Sequence, residues 1–390
     1  MIKSFVFAKT PQLHFGTGKL SELSATVKTF GTNVLLVTGA RSFIESREGQ
    51  RLQEHFEDER INFSQYAITR EPTPGMIDQA VNEFSSPMPD CVVAIGGGSA
   101  LDAGKAISAM LPLQRNVKDF LEGVGTANHP GIKVPFIAIP TTSGTGSEAT
   151  KNAVICETGT TGYKRSLRHS NFVPDVAIID PLLTTGCPQS TTAASGMDAF
   201  TQLLESYLST ASNPVTDSLA LEGLHRIERS LLRSYQDGND IAARTDMSLA
   251  AYLSGITLAN AGLGLIHGLA SPLGGYFDIP HGVICSALMA PANRISVQKL
   301  RSENNNPGAL RKYAIVGRLF SGNENGPDAY FTDLLLDTIS SMAVEMRIPR
   351  LGEYGVTENH LQKIVSATDN KNNPVVIDKE EMTQVLRATL

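Results

Sequence analysis

The sequence predicts two units of different class: an α/β unit with a parallel, Rossmann-like sheet over residues 1–182, and an all-helical unit over residues 183–390. Three observations lead there. First, short runs such as NVLLVT (33–38), CVVAI (91–95), PFIAI (135–139) and DVAIID (175–180) are nearly continuous apolar. Strands buried on both faces read this way. Second, segments of helical period lie between them: SREGQRLQEHFEDE, PGMIDQAVNEFSS and ALDAGKAISAMLPL. Alternating strand and helix with right-handed crossovers gives a parallel sheet covered by helices. Third, strand signals nearly vanish from about residue 188, where long helical patterns take over, so the boundary is expected between residues 182 and 188. Asn and Gly cluster at 303–308 and 322–326, which reads as loops between helices.

Bulk properties narrow the partners. The 390 residues are 41% hydrophobic and 18% charged, a composition that supports a sizeable core. The net charge of −6 and the lack of a basic run disfavour nucleic acid and anionic membranes, leaving a small molecule as the expected partner. The N-terminal stretch lacks the apolar core of a signal peptide, and no run is long enough to span a bilayer. Cys91, Cys156, Cys187 and Cys285 are scattered without a CxxC pair, which fits reduced thiols in a cytoplasmic protein. The strand-like FVFA and Phe15 offer an edge to a second subunit, so a homodimer is expected.

Two loops carry the first chemical signal. CVVAI runs into Gly96, Gly97, Gly98 and Ser99 and then into a helix. Ser99 is read as its N-cap, with Asp102 completing a capping box, and the open amides suit a pyrophosphate. The pattern is neither GxGxxG nor a P-loop, and a ligand-free βα turn explains the glycines equally well. PFIAIPTTSGTGSEAT is a second buried strand, and it ends in Thr141, Thr142, Ser143, Gly144, Thr145, Gly146 and Ser147. In a parallel sheet both loops leave the same carboxyl edge, which makes the pair read as a dinucleotide cleft.

The second signal lies in the helical part. In GMDAFTQLLESY, Asp198 and Gln202 share one face of an otherwise apolar helix. GLIHGLASPLGGYFDIPHG adds His267, read as ending an apolar helix, and His281, read as opening another. A carboxylate and two imidazoles suit divalent iron or zinc. Spacing alone leaves their convergence open, and a core histidine remains the alternative.

From HFGTGKLSEL through GGGSALDAGK, PTTSGTGSE, VPDVAIIDPLLT and GMDAFTQ to HGLASPLGG and IPHG, nearly the whole chain resembles the iron-containing (group III) alcohol dehydrogenase family. The resemblance implies a dehydroquinate synthase-like architecture, with a cleft that holds NAD or NADP and one divalent metal, Fe2+ ahead of Zn2+. It puts Gly97, Gly98, Ser99 and Asp102 at the pyrophosphate, and Thr141, Thr142 and Thr145 on the adenine and ribose side. Val154, Lys164 and Leu183 match further cofactor positions. Asp198, His267 and His281 match three of four metal ligands and form the expected catalytic set.

Two positions depart from the family. Gln202 stands where many relatives have the fourth ligand, a histidine, so it is expected at or beside the metal as a weaker donor. Ser271 stands where many have a histidine that relays a proton, so the proton is expected to leave through water or a ribose hydroxyl. The stretch Thr38-Gly39-Ala40-Arg41-Ser42 has no carboxylate for a ribose 2′-hydroxyl, which places Gly39 and Arg41 at the cofactor and admits NADP as well as NAD.

The expected reaction is reversible hydride transfer between a primary alcohol, or the aldehyde, and nicotinamide. Phe200, Tyr276 and Phe277 either line the substrate or pack the core. The rival readings are a metal-free NAD(P)H reductase of the maleylacetate reductase type, an NAD-using lyase or cyclase, and a non-catalytic nucleotide-binding protein.

Overall fold

The computed structural model describes residues 4–390. Its strands are β1 (Gln12–Phe15), β2 (Asn33–Gly39), β3 (Asn62–Ile68), β4 (Cys91–Gly96), β5 (Phe136–Pro140), β6 (Asn152–Glu157), β7 (Tyr163–Arg168) and β8 (Val176–Ile179). Six of them form one sheet in the order β1-β8-β5-β4-β2-β3, with every pair parallel. Helices α1 (Leu23–Lys28), α2 (Arg47–Asp58), α3 (Pro74–Phe84) and α4 (Gly98–Met110) cover it.

Side chains alternate across the strands, as a two-residue period requires. Leu35, Val37, Val92, Ala94, Phe136 and Ala138 pack with Ile77 and Val81 of α3 and with the buried side of α4. Val34, Leu36, Val93, Ile95, Ile137 and Ile139 point the other way, onto Leu23 and Val27 of α1 and Leu52 and Phe56 of α2. Both faces are therefore dry, which is why these strands are unbroken apolar runs.

The topology also places the ligand crevice. The chain steps from β2 outward to β3, then returns to β4 on the other side of β2, so the winding reverses between β2 and β4. Open sheets bind ligands at such a point, beyond the carboxyl ends of the strands. Here the ends lie level, with Thr38 opposite Ile95 and Gly96 opposite Pro140.

The four strands expected from apolar runs are present, and four others are not apparent in the sequence. β1 is short and at an edge. β3 is an edge strand in which Asn62, Ser64 and Gln65 are exposed and polar, so it lacks an apolar run. β6 and β7 form a separate antiparallel hairpin, inserted between β5 and β8.

The remainder is helical: α5 (Gln189–Leu208), α6 (Pro214–Gln236), α7 (Ile241–Ala261), α8 (Leu265–Tyr276), α9 (His281–Glu303), α10 (Pro307–Ser321), α11 (Asp328–Glu345), α12 (Glu358–Ser366) and α13 (Lys379–Arg387). The two Asn/Gly clusters fall between α9 and α10 and between α10 and α11. Polar caps set the starts of several helices. Asn213 forms a capping box on α6, and Asp240 accepts from the Ala243 amide on α7. α5 is the central helix, buried on all sides from Gly196 to Leu208. Among the described residues no single helix is long and apolar enough to cross a membrane.

One helix boundary differs from the expectation. Gly262, at φ 72°, ends α7, and α8 starts at Leu265 at an angle of 100° to it. Its positive φ with an extended ψ, a conformation open to glycine, breaks what reads as one apolar helix, so His267 lies in the first turn of α8 rather than at the end of the helix before it.

The helical part meets the sheet through backbone. Gly146, at φ 61°, lies against Gly255 of α7: a Cβ on Gly146 would stand 2.5 Å from the Gly255 Cα, and one on Gly255 would stand 2.3 Å from the Gly146 carbonyl oxygen. No L side chain fits either place without moving main chain. Gly255→Ala is therefore expected to destabilise the protein by about 2–3 kcal/mol, as overpacking against backbone does. Urea unfolding should show a lower midpoint with an unchanged slope.

Candidate active site

A buried helix must partner each of its polar groups. Asp198, Gln202 and Glu205 lie at i, i+4 and i+7 on one face of α5 and are 1%, 2% and 7% exposed. The Gln202 amide nitrogen donates to Asp198 Oδ2 at 2.9 Å, and its carbonyl oxygen accepts from Ser254 Oγ of α7 at 2.7 Å. Glu205 accepts from the Ile266 amide at 2.7 Å and faces His267 Nδ1 at 2.7 Å. With Nδ1 donating to Glu205, the lone pair of His267 Nε2 is free to face inward.

That nitrogen lies 3.5 Å from Asp198 Oδ1. His281, the first residue of α9, brings its Nε2 to 3.8 Å from the same oxygen. One turn later, Cys285 Sγ lies 3.6 Å from His267 Nε2 and 3.7 Å from His281 Nε2. The ligand atoms of Asp198, His267, His281 and Cys285 all lie within 4.8 Å of one another. Among the described residues, Asp198 Oδ1 is buried and has no hydrogen-bond partner, as is His281 Nδ1. A naked carboxylate oxygen facing two imidazole nitrogens in a dry pocket fits a divalent cation, and the O, N, N, S donor set suits iron or zinc.

The charge states agree with that use. Burial alone would raise Asp198, but His281 and His267 outweigh it and hold the carboxyl down to about 2. Burial lowers His281 to about 3 despite the nearby Asp198, which leaves a neutral imidazole. Burial would also lower His267, but Cys285 and Glu205 raise it well above the usual imidazole range. A proton on His267 thus balances the buried carboxylates. A divalent cation supplies the same charge and releases that proton.

The second cluster sits at the sheet's carboxyl edge. α4 starts at Gly97 with no side-chain cap, so its first amides are open. The capping box expected at Ser99 and Asp102 is not formed. Ser99 is inside the first turn, and Asp102 accepts instead from Ser147 Oγ. Lys105 is fully buried beneath the same loop, which its Nζ clamps by donating to the carbonyls of Ser147 at 2.7 Å and Asn152 at 2.9 Å. Burial pushes this amine down to about 8, with Asp102 and Glu148 opposing.

The two loops touch. The Thr141 amide donates to the Gly96 carbonyl at 2.9 Å, and a Cβ on Gly98 would come within 2.6 Å of Thr145. Gly39 ends β2 beside Gly96. Gly39, Gly97, Gly98, Ser99, Thr141, Thr142 and Thr145 are all partly exposed along one crevice. Arg41 lies on the outer rim, 82% exposed, with Glu45 at 3.8 Å. Val154 and Lys164 lie on the β6–β7 hairpin, and Lys164 Nζ donates to both oxygens of Glu71 at 2.6 and 2.7 Å. Leu183 packs beneath the sheet.

Several positions singled out in the sequence have defined partners. Gln202 has both ends engaged, its nitrogen on Asp198 and its oxygen with Ser254. Ser271 donates to the Lys164 carbonyl at 3.2 Å. Phe200 is fully buried and stacks on Phe320 at 5.2 Å, so it belongs to the core. Tyr276 lies under Lys363 Nζ at 3.9 Å, and Phe277 packs edge-on against His360. Cys285, Glu205 and Ser254 were not read from the sequence. Cys285 had a usable signal, because it stands four residues after His281 on the same helix face. Glu205 had another, because it continues the face of Asp198 and Gln202.

The model of the family described as iron-containing alcohol dehydrogenase matches residues 10–181, and that of its C-terminal part matches residues 192–390. Alcohol dehydrogenase 4 of Saccharomyces cerevisiae is 33% identical over 387 residues, covering 97% of this chain and 96% of that protein. The NADPH-dependent butanol dehydrogenase of Clostridium saccharobutylicum is 30% identical over 399 residues, covering 97% and 96%. The solved alcohol dehydrogenase from Oenococcus oeni superposes with a TM-score of 0.87 at 28% identity, covering 99% of this chain and all of that one, 100%.

Glu205→Gln replaces the charged partner of His267 with a neutral one. It is expected to weaken metal binding by roughly 10–100-fold, read by competition against a chromogenic chelator. An unchanged affinity would remove Glu205 from the site.

Proposed function

The chain belongs to the iron-containing alcohol dehydrogenase family, and on that premise we propose that it oxidises a primary alcohol, and reduces the aldehyde, with NAD(P), using a divalent metal held by Asp198, His267 and His281. The observation that carries this reading is the buried, unpartnered Oδ1 of Asp198 facing the Nε2 atoms of both histidines. Neither a metal-free reductase nor a simple nucleotide binder has a use for it.

Bound there, iron or zinc supplies Lewis acidity to the alcohol oxygen. Every other part of the machinery belongs to the chain. Asp198 provides the negative charge that keeps a cation in a dry pocket. Gln202 fixes that carboxylate by donating to its second oxygen. Glu205 fixes the ring and tautomer of His267. Gly97, Gly98 and Ser99 offer amides to the cofactor's pyrophosphate, while Thr141, Thr142 and Thr145 offer hydroxyls to its adenosine side. Asp102 and Lys105 hold the second loop in place from below. The Ser271 hydroxyl is bonded to backbone, so the alcohol proton leaves through water or a ribose hydroxyl.

NADP is accepted beside NAD, because the residues after β2 carry no carboxylate to repel a 2′-phosphate and Arg41 stands at the rim. Iron is the first choice of metal and zinc the second. The reading extends to a cytoplasmic homodimer: all four cysteines are free thiols, and the exposed Phe5, Val6 and Phe7 offer a second subunit an apolar contact.

Chelation is expected to lower alcohol oxidation by roughly 100-fold or more, with Fe(II) or Zn(II) restoring it, and Asp198→Ala should lose the metal and the activity together. Elemental analysis alongside initial rates checks both; a metal-free Asp198→Ala enzyme with full activity contradicts the reading. Separately, Gly98→Val puts a branched side chain against Thr145 where the pyrophosphate is proposed to lie. It should raise the KM for the cofactor by about tenfold while metal content stays unchanged.

A further inference from the structure

We infer that the thiolate of Cys285 is the fourth protein ligand of the metal, and that Gln202 holds Asp198 rather than the ion. The inference rests on the reading that a divalent metal is bound at this cluster, and goes beyond it by naming a sulfur donor.

The distances between donor atoms carry the argument. A tetrahedral ion with nitrogen or oxygen ligands at about 2.0–2.2 Å and sulfur at about 2.3 Å has ligand–ligand edges of roughly 3.3–3.8 Å. Four edges of this cluster, Asp198 Oδ1 to each Nε2 and Cys285 Sγ to each Nε2, measure 3.5, 3.8, 3.6 and 3.7 Å. The remaining two edges lie within 4.8 Å, so the sulfur stands on the side of the cluster where a fourth ligand belongs.

Hydrogen bonding explains the same spacing poorly. The two oxygen–nitrogen edges are too long for hydrogen bonds. The proton on His267 Nε2 finds no oxygen of Asp198 nearer than 3.5 Å, and the one proton of the thiol serves His281 only across 3.7 Å, so any hydrogen bonds here are long ones. Asp198 Oδ1 is left without a partner among the described residues. One ion at the centre satisfies all four donors at once, and its binding releases the thiol proton to solvent.

Gln202 cannot take the corner at low cost. Turning its oxygen inward gives up the 2.7 Å bond from Ser254 and swings its amide nitrogen off Asp198 Oδ2. The swing leaves Asp198 Oδ2 without that donor and sets an amide oxygen against a carboxylate oxygen, while Ser254 keeps the Ala251 carbonyl at 2.8 Å. The backbone, by contrast, already delivers Cys285. It follows His281 by one turn of α9, so placing the imidazole places the sulfur. Thiolate is also a softer donor than an amide oxygen, which shifts the site's preference toward zinc and cobalt and away from magnesium or manganese.

The test is spectroscopic and needs no turnover. Apoprotein loaded with one equivalent of Co(II), without cofactor, should show a near-ultraviolet thiolate-to-cobalt charge-transfer band. Cys285→Ser should lose that band, and Gln202→Ala should keep it. X-ray absorption of the zinc-loaded wild-type protein should require one sulfur scatterer at about 2.3 Å. This wild-type measurement decides the question even if the serine variant fails to fold. A wild-type protein that binds one metal and oxidises alcohol in a metal-dependent way, but shows neither band nor sulfur scatterer, overturns the role of Cys285 and leaves the dehydrogenase reading standing. A band that persists in Cys285→Ser also overturns it. A wild-type protein that binds no metal and turns over without one overturns both.

Discussion

A single negative charge buried at the centre of the helical part organises the molecule. Asp198 is 1% exposed, and one of its oxygens has no hydrogen bond among the described residues. An uncompensated carboxylate in such a place costs several kcal/mol and ordinarily takes up a proton instead. Here the protonated imidazole of His267 keeps it ionised. The surroundings follow from that choice. The polar stripe of α5 supplies Gln202 to grip one oxygen and Glu205 to orient the ring that faces the other. The turn at Gly262 redirects the chain so that α8 begins beside the carboxylate. Pro280 then sets His281 at the first position of α9, where its ring reaches the same point.

Hydride transfer needs this centre and the nicotinamide held at a fixed separation, and the structure connects them through short, polar and backbone contacts. Ser254 donates to Gln202 at 2.7 Å and lies 3.4 Å from the carbonyl of Gly144 in the threonine-rich loop. Gly146 of that loop lies against Gly255 of α7, main chain on main chain. Lys105 anchors the same loop to the helix that opens with Gly98. The loop proposed to hold the cofactor and the helices that carry the metal cluster are thus one mechanical unit. Close approach of this kind between reacting groups contributes to the rate by removing orientational freedom in advance.

Much of this architecture was legible in the chain. The β4 and β5 runs are apolar throughout because both faces of their sheet are covered, so they announced a parallel sheet. The glycine and threonine loops followed directly from them. Asp198, His267 and His281 stood out because polar groups in apolar helices need a reason. The rest was hidden for physical causes. β3 and β1 are edge strands with too little buried surface for a pattern, and β6–β7 is a small hairpin off the main sheet. His267 seemed to end a helix because the glycines that break α7 from α8 sit within an unbroken apolar run. Ser99 looked like a cap because serine before an acidic residue three positions on usually is one; here the glycine before it takes that place, which keeps the amides open. Cys285 read as one of four scattered, reduced thiols with no CxxC partner. Only its one-turn spacing from His281 distinguished it, and that spacing acquires meaning once α8 brings His267 to the same point.

The central claim is that a divalent ion sits against Asp198 between two imidazoles. Crystals of protein purified without chelator, with data recorded on either side of the metal's absorption edge, test it most directly. The account predicts one strong anomalous peak at about 2.0–2.2 Å from Asp198 Oδ1, His267 Nε2 and His281 Nε2. Crystals in which elemental analysis finds stoichiometric iron or zinc, but whose anomalous peak lies elsewhere and leaves Asp198 bare, would contradict it.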